Sequence, residues 1–202
     1  MFNGIIFNSG QICKINRRNK GINLFLKSSL NLKHKDIGSS ISLDGVCLTL
    51  ISVNRKIIEF YLSKETINKS KFKNATIGDK INIELPLKYG QNISGHICQG
   101  HVDTIAEVSK IKKVDKSKVF EFKIPNKFKK SLVEKASILV NGVSLTISKL
   151  SECGLTGAVN REGWRVHHLR NGSLSNAVEM MAVEGRLVLN QRLRALNQWM
   201  KE

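Results

Sequence analysis

Hydrophobic and polar residues alternate along several short stretches of this 202-residue chain, the period of a strand with one buried face. "SISL" (40–43), "CLTLISV" (47–53) and "IIEFYLS" (57–63) each carry that pattern, and "IGDKINIELPL" (77–87) resumes it after a turn at Gly78-Asp79. The polar stretch "KETINKSKF" that follows residue 63 suits a short helix. Short strands at regular spacing predict a small antiparallel barrel.

The pattern occurs twice. "SISLDGVCLTLISV" (40–53) and "SILVNGVSLTISKL" (137–150) align without gaps at an offset of 97 residues. The shared core is Asp/Asn-Gly-Val-Cys/Ser-Leu-Thr, so the chain contains a duplicated unit. In each copy Asp44-Gly45 or Asn141-Gly142 predicts a type I′ hairpin turn, because both residue types tolerate positive φ. Cys47 and Ser144 then emerge just past a turn, where a polar side chain can face a ligand at a barrel mouth. Thr49 and Thr146, two residues on, share their face.

The second copy does not continue like the first. Where a partner of 57–87 is expected there stands "GLTGAVNREGWRVHHLRNGSLSNAVEMMAVE". Composition changes as well: residues 1–150 hold 23 Lys and 3 Arg, whereas 151–202 hold 1 Lys and 6 Arg. From Ser173 or Ser175 as a cap, leucines and methionines recur at helical spacing, which predicts a helical tail. A barrel lacking two strands leaves edges unpaired, so the tail is expected either to cover the gap or to leave that half incomplete.

The net charge of +17 raises nucleic acid as a partner. Its distribution argues against a specific one, since "KSKFKN", "KIKKVDKSK" and "KFKK" lack interleaved aromatics and no recognition motif is present. No run of eighteen apolar residues exists to span a membrane, and the opening lacks a signal-peptide pattern, so a cytoplasmic location is expected. Cys13, Cys47, Cys98 and Cys153 show no CxxC spacing, which disfavours both a disulfide framework and a zinc site. "GHICQGH" (95–101) places His96 and His101 five apart, with Asp103 as a thin third ligand, so metal binding is disfavoured there too.

"MFNGII", "DGVCLTL", "SKET", "GDKINIE", "SGHICQGHVD" and "NGVSLTI", in that order, resemble the riboflavin synthase family over residues 1–150. The resemblance implies a mainly β fold of tandem duplicated six-stranded antiparallel Greek-key barrels. On this chain that becomes an N-terminal lumazine-binding barrel at 1–93, a partial C-terminal barrel at 94–150 and a divergent helical tail at 151–202. It further implies a homotrimer in which two molecules of 6,7-dimethyl-8-ribityllumazine react, one on each barrel type at a subunit boundary. A four-carbon unit passes between them, giving riboflavin and 5-amino-6-(ribitylamino)uracil with no cofactor and no metal. Lumazine synthase becomes a candidate partner.

That dismutation requires loss of a proton from the C7 methyl of one lumazine and nucleophilic attack at C7 of the other. His101, Cys47 and Ser144 supply the side-chain types and are the expected catalytic residues. The resemblance adds Phe2, Gly4, Thr49, Lys64, Glu65, Thr66, Gly95, His96 and Thr146 as substrate-binding positions. For Phe2 a core anchor is an equal expectation, and His96 is expected mainly to shape the inter-barrel turn. "GHICQGH" itself is read as linker and first strand of the second barrel. Glu162 falls at the repeat offset from Glu65, but its neighbours do not match and no role is carried over. A non-catalytic lumazine- or flavin-binding protein of the same architecture is the alternative function, and a defective gene fusion a third.

Overall fold

The computed structural model describes residues 1–151, 154–159 and 177–181. The first six strands are β1 (Asn8–Arg18), β2 (Gly21–Ser28), β3 (Ser40–Leu43), β4 (Val46–Asn54), β5 (Ile57–Ser63) and β6 (Lys80–Glu84), with helix α1 (Lys64–Lys69) after β5. They close into an antiparallel barrel in the order β1-β2-β5-β4-β3-β6. The next six are β7 (Thr104–Val114), β8 (Ser117–Lys123), β9 (Ser137–Val140), β10 (Val143–Ser151), β11 (Gly154–Val159) and β12 (Ala177–Met181), with helix α2 (Asn126–Lys129) before β9. These close in the equivalent cyclic order, β10-β11-β8-β7-β12-β9. Even the irregularities recur: β4 bulges between Leu50 and Ser52, and β10 between Ile147 and Lys149.

Two expectations are corrected. The second barrel is not confined to 94–150, because β11 pairs with β8 and β10, and β12 bridges β7 and β9. Residues 177–181, which carry a helical pattern, are therefore strand. The open edges of β7 and β9 reward pairing there more than local propensity rewards a helix. Gly154–Val159, also within the expected helical tail, is strand β11, and the rest of that tail (152–153, 160–176 and 182–202), with Cys153 and Glu162, lies outside the described residues. Among the described residues no helix is long and apolar enough to cross a membrane.

The hairpin turns form as the sequence predicts. Asp44 and Gly45 have φ of 47° and 89°, and Asn141 and Gly142 have 48° and 79°. The two turns also meet. A Cβ on Gly45 would lie 3.0 Å from the Gly142 nitrogen, so glycine is required by space as well as by φ. Across this junction Asn82 donates its side-chain amide to the Asn141 carbonyl at 2.9 Å, and its backbone N–H to Asp44 Oδ1 at 2.9 Å. Lys71 closes the cluster with an ion pair to the buried Asp44 at 2.5 Å.

Each barrel has its own apolar interior, built from Leu24, Leu26, Leu50 and Phe60 in the first and Phe120, Phe122, Ile138 and Ile147 in the second. The segments that precede the two barrels exchange places. Ile6, ahead of β1, is buried in the second core, while Val102, ahead of β7, packs on the first. The segments pair where they cross, through Phe2 N–H to the Cys98 carbonyl (2.8 Å) and Cys98 N–H to the Phe2 carbonyl (3.0 Å). "GHICQGH" is thus not the first strand of the second barrel. Among the described residues its β-bridge is Phe2–Cys98, outside any strand, and β7 begins three residues after His101.

Candidate functional site

The exchange of segments builds a cleft at the first barrel and a repeat-related polar site at the second. In the first, the Cys47 N–H donates to the Gly100 carbonyl at 2.8 Å, which draws His101 to the mouth of the first barrel beside Cys47. Cys47, Glu65, Thr66, Lys69 and His101 line a cleft of about 300 Å³ there, at the lower end of the range for small-molecule sites. Helix α1 forms one wall. It starts where the motif "SKET" predicts, because the Ser63 hydroxyl accepts the Thr66 N–H at 3.2 Å and caps it. Glu65 and Lys69 pair at 2.8 Å on the exposed side of this helix, and the neighbouring ammonium lowers the Glu65 pKa.

At the repeat-related position in the second barrel the Ser144 N–H donates to the Gly4 carbonyl at 2.8 Å, matching Cys47 and Gly100. Here the polar partner is His96, whose Nδ1 lies 2.7 Å from Ser144 Oγ. Burial pushes the His96 pKa below its ordinary value, so the neutral imidazole is favoured and can accept the Ser144 proton. His96 thereby does more than shape the turn. Its backbone is tied to the crossing segment through the Asn3 carbonyl (3.2 Å), and Gly95 N–H donates to Asn3 Oδ1 at 2.7 Å. Gly4 has φ +72° and approaches so closely that a Cβ would lie 2.7 Å from Ser144 Cβ.

The sequence-predicted residues therefore divide. Cys47, Glu65, Thr66 and His101 gather in the cleft; Gly4, Gly95, His96 and Ser144 gather around the crossing N-terminal segment. Phe2 is fully buried between them, packed with Cys98, Leu139 and Cys47, as a core anchor. Thr49 and Thr146 occupy the exposed face of β4 and β10 one alternation beyond Cys47 and Ser144, and Thr49 does not line the first cleft; nor does the exposed Lys64. Among the described residues no three His, Cys, Asp or Glu side chains gather as a metal site.

Two contributors escape sequence reasoning. Lys69 follows from the helical spacing after Glu65. Glu84, inside the quoted motif "GDKINIE", shows no sequence sign that its carboxylate reaches the N-terminal segment, 80 residues away. It accepts from Asn3 N–H at 2.6 Å and from Gly4 N–H at 3.0 and 3.2 Å. Burial raises its pKa, and the backbone donors of Asn3, Gly4 and Ile5 oppose that rise.

The family model for the lumazine binding domain matches the chain twice, at residues 3–86 and 99–180. The second match runs well past residue 150, consistent with β11 and β12 in the barrel. The riboflavin synthase of Buchnera aphidicola subsp. Schizaphis graminum is 35% identical over 153 residues, 74% of this chain and 73% of the relative. That of Bacillus subtilis is 33% identical over 156 residues, 77% and 73% of the two chains. Among solved structures, LumP complexed with riboflavin superimposes with a TM-score of 0.81 at 20% identity, covering 90% of this chain and 99% of LumP. LumP complexed with 6,7-dimethyl-8-(1′-D-ribityl)lumazine gives 0.78 at 19%. With the duplicated barrel and the two lumazine-binding repeats in place, the chain belongs to the riboflavin synthase family.

Proposed function

We propose that this chain catalyses the riboflavin synthase reaction: four-carbon transfer between two molecules of 6,7-dimethyl-8-ribityllumazine, giving riboflavin and 5-amino-6-(ribitylamino)uracil. The observation that carries the reading is that repeat-related positions hold non-identical polar groups, Cys47 with His101 in the cleft of the first barrel and Ser144 hydrogen-bonded to His96 at the second. A dismutation needs such inequality, because one substrate copy must lose a proton while the other accepts a nucleophile. With Nδ1 as acceptor, the neutral His96 withdraws the Ser144 proton as the serine oxygen engages C7 of the lumazine held there. His101 takes the C7-methyl proton of the lumazine beside Cys47, and the resulting carbanion attacks the activated partner. Together the two products contain every atom of the two substrates, so the overall conversion calls for no external oxidant.

LumP, which shares this fold, is complexed with the lumazine and with riboflavin in solved structures, and that supports a ligand of this class here. The reading includes a homotrimer, which places the Cys47 cleft of one subunit against the Ser144–His96 site of its neighbour, and a transferase working in the cytoplasm. Incubating the purified protein with the lumazine while following riboflavin absorbance tests it. Lumazine bound without riboflavin formed would favour the non-catalytic binder.

A further inference from the structure

We infer that Glu84 is the positioning residue of the Ser144–His96 site: its carboxylate, on the last strand of the first barrel, holds the exchanged N-terminal segment in the geometry that Ser144 and His96 require. This inference rests on the two-site reading of the function. The chain of contacts is continuous. Glu84 Oε1 accepts from Asn3 N–H at 2.6 Å, and both carboxylate oxygens accept from Gly4 N–H. Gly4 in turn presents its carbonyl to Ser144 N–H at 2.8 Å, and Asn3 presents its carbonyl to His96 N–H at 3.2 Å. Asn3 Oδ1 takes the N–H of Gly95, next to His96, at 2.7 Å. One side chain of the first barrel thus sets both halves of the Ser144–His96 pair in the second. A fork of two carboxylate oxygens toward successive backbone N–H groups is stronger and more directional than neutral acceptors would be.

The arrangement is one-sided. In the first barrel Ser42 pairs with Glu84, and in the second Leu139 pairs with Met181. Both members shift by the repeat offset, so the residue that register places opposite Glu84 in the duplicated frame is Met181. The crossing segment that carries Gly100 and His101 therefore has no carboxylate at the matching strand position. The duplicated barrels therefore differ at this strand position, and the carboxylate stands on the side whose serine and histidine must stay within hydrogen-bond reach.

Glu84→Gln is the direct test, since it preserves shape but turns one acceptor oxygen into a donor that opposes the backbone N–H groups. Three readouts are taken: lumazine stoichiometry by fluorescence titration, riboflavin turnover, and the His96 imidazole titration by NMR. The expected result is loss of one of two bound lumazines per chain, with affinity at the Cys47 cleft changed less than threefold. Turnover falls about 100-fold, the scale of misplacing one proton-transfer group. The His96 midpoint moves up toward that of a free imidazole, and Glu84→Asp, which keeps the charge, restores part of all three. If the wild type binds no lumazine the functional reading fails, whereas the His96 titration still reports on Glu84 alone. An unmoved His96 in Glu84→Gln would overturn the assignment. So would parallel weakening of both sites, or failure of both variants to fold, either of which makes Glu84 a general fold residue.

Discussion

Gly4→Ala tests the exchanged segment where space is tightest. Gly4 sits at φ +72°, where an L-residue costs about 1–2 kcal/mol. The new Cβ would also lie 2.7 Å from Ser144 Cβ, 2.8 Å from Leu139 Cδ1 and 2.9 Å from the Ser144 nitrogen. Such overpacking adds about 1–3 kcal/mol, because backbone, rather than a flexible side-chain end, has to give way. Gly38→Ala supplies the control: φ is +91°, yet no atom lies within 4 Å of the added carbon, so it meets the backbone cost alone. At about 2–4 °C per kcal/mol for a domain of this size, Gly4→Ala is expected to melt a few degrees to roughly 10 °C below Gly38→Ala. Differential scanning fluorimetry measures that gap, and lumazine titration measures the accompanying loss at the Ser144–His96 site. Equal melting temperatures, with both lumazines still bound to Gly4→Ala, would refute the close approach and with it the exchange of segments.

Further outcomes follow from other contacts. Ser144→Ala removes the hydroxyl 2.7 Å from His96 and is expected to lower riboflavin turnover by about 10²–10⁴-fold while lumazine at the Cys47 cleft stays bound, as single-turnover assay beside fluorescence titration reads. Lys71→Met strips the ammonium from Asp44, which is 1% exposed; Lys71 itself is 23% exposed, so a loss of about 2 kcal/mol is expected in urea unfolding, below the roughly 3–5 kcal/mol of a fully buried pair. The His96 pKa is depressed by burial, so the unfolded chain takes up its proton first: the stability His96 contributes is complete above pH 6.5 and is lost as pH falls from there through the folded value. Glu84 has the opposite sign, its raised pKa favouring the fold below 4.5 and losing that contribution as pH rises through the folded value, so denaturation midpoints of His96→Gln and Glu84→Gln should diverge from wild type in opposite directions across those windows.

How far the sequence spoke depended on whether the determinant was local. Asp44-Gly45 and Asn141-Gly142 announce their turns because positive φ is a property of the residues themselves, and the strands on either side follow by alternation. The cap at Ser63 is equally local, and it delivers Thr66 to the cleft. Strand β12 was hidden for the converse reason. "AVEMM" gains its conformation from the free edges of β7 and β9, which no window on the sequence contains. The same holds for "GHICQGH", whose place is decided by Phe2 and Cys47 on the far side of the chain. The contact of His96 with Ser144 has no sign in the sequence, since the two stand 48 residues apart and meet where Asn3 and Gly4 cross between the barrels. Thr49 shows the limit of alternation: it gives the face of a strand, and the first cleft does not extend along that face to Thr49.

The most direct test of the account is a single experiment in which purified protein and 6,7-dimethyl-8-ribityllumazine are mixed and bound lumazine and riboflavin are followed together. The account expects two lumazines bound per chain and riboflavin formed at a rate that His96→Gln and His101→Ala each reduce. Two lumazines bound with no riboflavin from the wild-type protein would contradict it, leaving a lumazine-binding protein in which the unequal sites serve affinity and not transfer.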